Sequence, residues 1–208
     1  MSTQRSHQQC AALHKLQLAG EYRLVLIVAP SGAGKTNLLQ QWCQMVLATS
    51  LILPPYFDLK SEHNRPKLFL DGLLSELGIW DHHIPDHIIL AQEIVKVTPP
   101  VNIPKGKSCA DLSPTFEGVI TELINILIPL EGDRFLILDN YQFIHEPNVH
   151  GMVVYLIDYL PPNFHLIIAS QVIPPLQIPR LRARRELLEI GPEDMHFSYQ
   201  IASNEAIS

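Results

Sequence analysis

The residues of this chain best suited to chemistry sit close together: Gly32, Gly34, Lys35 and Thr36, within Ala29-Pro30-Ser31-Gly32-Ala33-Gly34-Lys35-Thr36. Glycine has no Cβ, so the amides of Gly32 and Gly34 can close around phosphate oxygens in conformations that other residues avoid. Lys35 would reach the β- and γ-phosphates of a nucleotide tail, and the Thr36 hydroxyl would bind Mg²⁺. A helix starting here would aim the positive end of its dipole, about half a unit charge, at the same place. With Ala29, Pro30, Ser31, Ala33 and Asn37 around them, these residues make a candidate phosphate-binding loop. The usual pattern has glycine where Ala29 stands, and alanine serves there while φ stays negative. The alternative is a chance Gly-Lys-Thr turn.

Context separates the two readings. Leu24-Val25-Leu26-Ile27-Val28 precedes the loop as an unbroken apolar run, the mark of a strand buried on both faces. Behind the loop, Leu38, Leu39, Trp42, Met45 and Val46 recur at helical spacing up to about Leu47. Strand, glycine-bearing loop and helix are the setting in which such a motif binds phosphate. Farther on, Phe135-Leu136-Ile137-Leu138 ends in Asp139, which places a carboxylate at the carboxyl end of a core strand. That edge of an open α/β sheet is where ligands bind, and Asp139 there can hold Mg²⁺ directly or through water. Alone, it would read instead as an acid starting a turn, and the neighbouring glycine loop is what favours the metal role.

The remaining elements alternate. A short helix is expected over Ala11–Leu18, and Pro54-Pro55 leave room for only a short strand at Tyr56-Phe57-Asp58-Leu59. Leu68, Leu70, Leu73, Leu74 and Leu77 mark a helix ending near Gly78, and Ile88–Val97 is an apolar piece of helical character. Pro99–Ser108 reads as an exposed connection. A helix from Pro114 to Ile128 starts at Ser113-Pro114, a capping hydroxyl and then a proline whose missing amide costs nothing. Further elements follow at Arg134–Asp139 (strand), Met152–Leu160 (helix), Phe164–Gln171 (strand) and Arg185–Ile190 (strand). Such alternation implies an α/β fold of three layers, a mainly parallel sheet flanked by helices.

A chain of 208 residues with 47% apolar content fits one domain with a sizeable core. A net charge of −6 argues against broad binding to nucleic acid or anionic lipid. Cys10, Cys43 and Cys109 lack metal-ligand or redox spacing, so a reducing cytoplasm is the expected location. No apolar stretch approaches the roughly 20 residues of a membrane span, and residues 1–9 carry no signal core. His82, His83 and His87 fall in a loop-like segment without acidic or thiol partners in metal spacing.

The motifs together resemble a known family. Ala29–Thr36 followed by Gln41-Trp42, then Leu138-Asp139-Asn140-Tyr141, Leu160-Pro161-Pro162, Ile168-Ala169-Ser170-Gln171, Pro174-Pro175-Leu176 and Leu181-Arg182-Ala183-Arg184 follow one pattern in order. It is similar to the P-loop ATPase domain of the STAND signal-transduction ATPases, which are AAA+-like. It looks in particular like the maltose-activator-like branch of large LuxR-type transcriptional regulators. The resemblance implies a lead-in helix over 1–20, a P-loop NTPase core over 21–192, and the start of a lid subdomain over 193–208. It implies ATP with Mg²⁺ as ligand and Asp139, Asn140 and Gln171 as the catalytic positions; the expected partners are ATP or ADP, with self-association or a regulator partner. Sensor repeats and a helix-turn-helix are not expected within these residues, so neither DNA nor membrane is an expected partner.

Three departures shape what is expected. Asn140 stands where the family has a second Asp, and an amide cannot take a proton from water, so hydrolysis is expected to be slow or absent. Glu146, the nearest other acid, reads as a loop residue. Gln171 stands where the family tends to carry Arg, and it can donate a hydrogen bond but no charge. Without a lid over adenine, affinity and base selectivity are expected to be lower. Arg180, Arg182, Arg184 and Arg185 read as a solvated surface in preference to a phosphate or nucleic-acid site, and Trp42 as core in preference to a base-stacking platform. Two rival functions stay open: a P-loop small-molecule kinase and a non-catalytic interaction module.

Overall fold

The computed structural model describes residues 11–78 and 114–195. Five strands build the sheet: β1 (Leu24–Val28), β2 (Tyr56–Asp58), β3 (Arg134–Asp139), β4 (Phe164–Ser170) and β5 (Leu187–Ile190). Their spatial order is β2-β3-β4-β1-β5, with every pairing parallel. Among the described residues six α-helices accompany them: α1 (Ala11–Leu16), α2 (Lys35–Ser50), α3 (Pro66–Gly78), α4 (Pro114–Leu127), α5 (Pro147–Tyr159) and α6 (Ile178–Ala183). The pieces expected over Ile88–Val97 and Pro99–Ser108, together with Cys10, Cys109, His82, His83 and His87, lie outside the described residues.

Alternation within the buried strands sends side chains to opposite faces. Leu24, Leu26, Leu136, Leu138, Phe164, Leu166 and Ile168 join a core with α3, α4, α5 and α6. Val25, Ile27, Ile137, Ile167 and Ala169 join a second core with α1 and α2. These are the three layers that the alternation of elements implies. The lead-in helix α1 belongs to the second core, because Ala12 and Leu16 are fully buried in it. Trp42 is also core there, edge-on to Phe135 at 4.9 Å between ring centroids. Burial pushes the Cys43 thiol up to about 11, as suits an inert packing residue.

Several boundaries differ from those the sequence suggests. Helix α5 begins at Pro147 instead of Met152. Its first turn carries Asn148 and His150, which give no apolar signal, while Pro147 fits the first helical position without needing an amide. Glu146 is therefore a helix N-cap and not a loop acid; its carboxylate accepts from the Asn148 side chain at 2.8 Å. Arg23 closes the other end of α5 by donating to the Ile157 and Leu160 carbonyls at 2.7 and 3.1 Å. Strand β5 starts at Leu187, since Arg185 adopts φ +59° in the turn after α6, a helix the sequence did not suggest. Helix α1 stops at Leu16 and α4 at Leu127, α2 runs on to Ser50, and β4 ends at Ser170, leaving Gln171 just beyond.

The ends of the described chain are clasped. Lys15 donates to Asp194 at 2.7 Å, and the Gly191 N–H donates to the same carboxylate at 3.0 Å. Burial alone would raise the Asp194 pKa, but these bonds outweigh it and hold the carboxyl below its ordinary 3.8. Stability from this depressed carboxyl is fully present above 3.8 and fades as pH falls through the folded value. Asp194→Asn should therefore lower stability at neutral pH, and the gap to wild type should close in urea titrations carried out well below pH 3.8.

Two helical glycines make a paired prediction. A Cβ on Gly72 of α3 would lie 2.5 Å from Phe57 Cζ, and that ring is held between His63 and Phe69. Gly118 of α4 has nothing within 4 Å of the same position. Gly72→Ala is expected to cost about 1–3 kcal/mol by overpacking. Gly118→Ala is expected to stabilise by about 0.5–1 kcal/mol through lower unfolded-chain entropy and better helix propensity. Urea denaturation of both variants checks the opposite signs.

Candidate nucleotide site

The carboxyl ends of β1, β3 and β4 meet at one edge of the sheet. Pairing of Val28 with Ser170, and a bond from the Ala29 N–H to the Ser170 carbonyl at 3.2 Å, carry the register one residue past β1. The chain then turns through the loop with Gly32 at φ +78° and Gly34 at φ +90° before α2 begins at Lys35. Only glycine takes such values without strain, and these are the two positions the motif fills with it. Ala29 is buried and Pro30, Ser31, Gly32, Gly34, Thr36 and Asn37 are exposed, with Ala33 between. Beyond the adjoining residues, no heavy atom lies within 4 Å of where a Cβ on Gly32 or Gly34 would stand, so there is open space beside both glycines.

Lys35 is buried, and its ammonium donates to the Ala29 carbonyl at 2.7 Å and the Pro30 carbonyl at 3.0 Å. It is thus folded back onto the loop's own backbone, with one of its three N–H donors left over. Burial lowers its pKa and the Asp139 carboxylate works the other way. Thr36, the next residue, donates its hydroxyl to Asp139 Oδ2 at 2.7 Å across 103 positions of sequence. Asp139 is 1% exposed, at the tip of β3. Its Oδ1 accepts the Asn140 N–H at 2.7 Å, and its Oδ2 also accepts the Tyr56 hydroxyl at 2.5 Å.

Tyr56 did not stand out in the sequence as more than a strand residue. Burial, reinforced by the bond to Asp139, holds its phenol above the ordinary value, so it remains a donor at any physiological pH. Its neighbour on the same strand, Asp58, accepts from the Asn140 side-chain amide at 2.8 Å. The Asn140 side-chain oxygen in turn accepts from Gln142 at 3.1 Å, and Gln142 accepts the Gln171 N–H at 3.2 Å. A chain of amides and one carboxylate therefore links the tips of β2, β3 and β4. Asn140 itself sits at φ +59°, a conformation that Asn tolerates better than most residues. Gln171 joins this chain through its backbone, and its side chain is on the exposed surface.

The segment beyond Asp139 has its own brace. Asn64, in the 3-10 turn Ser61–Asn64 after β2, donates to the Phe143 carbonyl at 2.7 Å and accepts the N–H groups of His145 and Glu146 at 2.6 and 3.0 Å. The arginines near the end of the sheet face carboxylates: Arg180 faces Asp158, Arg182 lies 2.7 Å from Glu189, and Arg184 lies 4.0 Å from Glu186. Among the described residues no group of three or more His, Cys, Asp or Glu could hold a metal unaided, and no helix is long and apolar enough to cross a membrane.

No family model matches the chain. Among curated proteins it is similar to the HTH-type transcriptional regulator MalT of Klebsiella pneumoniae, 30% identical over 190 residues, and to that of Cronobacter sakazakii, 30% identical over 191. Each alignment covers 91% of this chain, which spans 19% of the length of those regulators. Solved structures with a related shape include Drosophila ORC bound to DNA, 17% identical with TM-score 0.49 over 88% of both chains. Another is C. elegans PCH-2, 13% identical with TM-score 0.42, covering 86% of this chain and 41% of that one. These structural likenesses are loose, and nothing further rests on them. At 30% identity over 91% of its length, the chain resembles a MalT-like P-loop domain of the STAND class.

Proposed function

We propose that residues 21–192 bind ATP with Mg²⁺ and serve as the nucleotide switch of a transcription-regulator ATPase, with hydrolysis slow or absent. One observation carries the reading: an open loop with two left-handed glycines is joined, through Thr36 and Asp139 at 2.7 Å, to the acidic tip of a distant strand. The donor set fits a magnesium nucleotide, because Mg²⁺ binds through one or two protein oxygens and takes its other ligands from water and phosphate. When bound, the ion would neutralise phosphate charge between Thr36 and Asp139. The N–H groups of Gly32 to Thr36 would donate to the phosphate oxygens, and the helix dipole of α2 would add to their pull. Lys35 would exchange its two carbonyl partners for phosphate oxygens.

Slow turnover follows from the tip of β3. The Asn140 amide has no basic lone pair for a water proton, and it is already engaged with Asp58 and Gln142. Gln171 brings no positive charge to the place where phosphoryl charge would develop. The proposed biological setting, regulation of transcription, rests on the regulators that the chain resembles.

A second reading, association through the same edge, is favoured by the exposure of Phe143, Val172 and Ile173 in the segments after β3 and β4. ATP-dependent assembly would appear as a larger species on size-exclusion chromatography with ATP than without. Elution at one volume under both conditions would remove the association reading and leave ATP binding standing.

Two substitutions test the site directly. Lys35→Ala removes a donor worth about 1.5–3 kcal/mol per charged hydrogen bond, so ATP affinity by calorimetry should fall about tenfold to a hundredfold. Gly34→Ala forces a Cβ into φ +90°, at a cost of about 1–2 kcal/mol, and should weaken ATP binding by roughly tenfold while leaving the sheet intact. Unchanged affinity in both would remove the loop from the binding site.

A further inference from the structure

We propose that Tyr56 gates the metal side of the nucleotide site: its hydroxyl occupies the Asp139 oxygen that a Mg²⁺-bound water would need. The inference rests on the nucleotide reading above and deepens it. A carboxylate offers about four lone-pair positions. Three are filled on Asp139: Thr36 and Tyr56 both donate to Oδ2, and the Asn140 N–H donates to Oδ1. With the residue 1% exposed, little of the group is free to meet a hydrated ion.

The two hydroxyl donors are not equivalent. Thr36 can keep its bond to Asp139 and still turn an oxygen lone pair outward, because a hydroxyl donates once and accepts twice. Tyr56 offers no such compromise. Its ring packs against the α1–α2 core from the short edge strand β2, and its hydroxyl reaches Asp139 from that side, so it competes with an incoming water for Oδ2. Mg²⁺ keeps its waters tightly and holds them in near-octahedral directions, so the ion cannot bend around an occupied oxygen. A Mg²⁺-bound water approaching Oδ2, the oxygen that Thr36 also meets, would therefore have to break the Tyr56–Asp139 bond, which links the metal to the edge strand whose Asp58 holds Asn140.

The test compares the 208-residue chain with Tyr56→Phe, which keeps the ring and removes the donor. Calorimetry is run with ATP plus Mg²⁺ and with ATP plus EDTA. The gate requires Tyr56→Phe to bind ATP about tenfold more tightly in Mg²⁺ and equally in EDTA. Equal or weaker binding in Mg²⁺, with ATP still bound in EDTA, overturns the gate and leaves the site. If wild type, Tyr56→Phe and Lys35→Ala all fail to bind ATP, the nucleotide reading fails and the gate falls with it. A ¹³C-tyrosine NMR spectrum of the wild-type chain gives a second readout. The Tyr56 ring resonance should move on adding ATP with Mg²⁺ and hold still with ATP in EDTA. Should Tyr56→Phe not fold, that resonance decides alone: movement supports the gate and a fixed position overturns it.

Discussion

Strand β4 holds the site together, although it contributes none of the side chains that bond to Asp139. All seven of its residues are buried, and it pairs in parallel with β3 on one side and β1 on the other. Parallel ladders fix the offset between neighbours, and a slip of one residue would turn every side chain to the wrong face. Because both ladders run through β4, the tips of β1 and β3 stand at a set height relative to each other. Thr36 and Asp139 then meet within hydrogen-bonding distance despite their separation in sequence. The two cores, one on each face, are what make that offset costly to change.

The edge so formed is uneven in its chemistry. On the side where phosphate is proposed to bind it presents glycines in the left-handed region, a helix N-terminus and a buried ammonium. On the side where water would be activated, the position expected to carry a base is an amide drawn into a brace. Asn140 couples Asp58 on β2 to Gln142 and, through it, to the backbone beyond β4. A residue that looks like a lost catalytic group is thus employed as structure.

Much of this was legible in the sequence. Strands β1, β3 and β4 announce themselves because burial on both faces removes polar alternation, and the phosphate loop because its glycines and Lys35-Thr36 stand between strand and helix. What stayed hidden depends on partners far away along the chain. Tyr56 lies in a three-residue strand behind two prolines, and its importance comes from Asp139, 83 residues on. Asn64 and Gln142 act by bridging loops, which no periodicity records. The start of α5 was masked by a polar first turn, and α6 by its proline and arginines. The Asn140 substitution was visible, but its bond to Asp58 needed the sheet order to bring β2 beside β3.

The sheet order also bears on how the protein comes to be folded. Both neighbours of β1 are made late, β4 at Phe164–Ser170 and β5 at Leu187–Ile190. During synthesis Leu24–Val28 would leave the ribosome with its two hydrogen-bonding edges bare, and closing long stretches of chain is what makes such pairings slow. An apolar strand waiting unpaired invites wrong partners, so nascent chains of this kind depend on rapid completion or on chaperones. The glycine loop, though encoded near the beginning, can gain its Ala29–Ser170 bond only after β4 has been made.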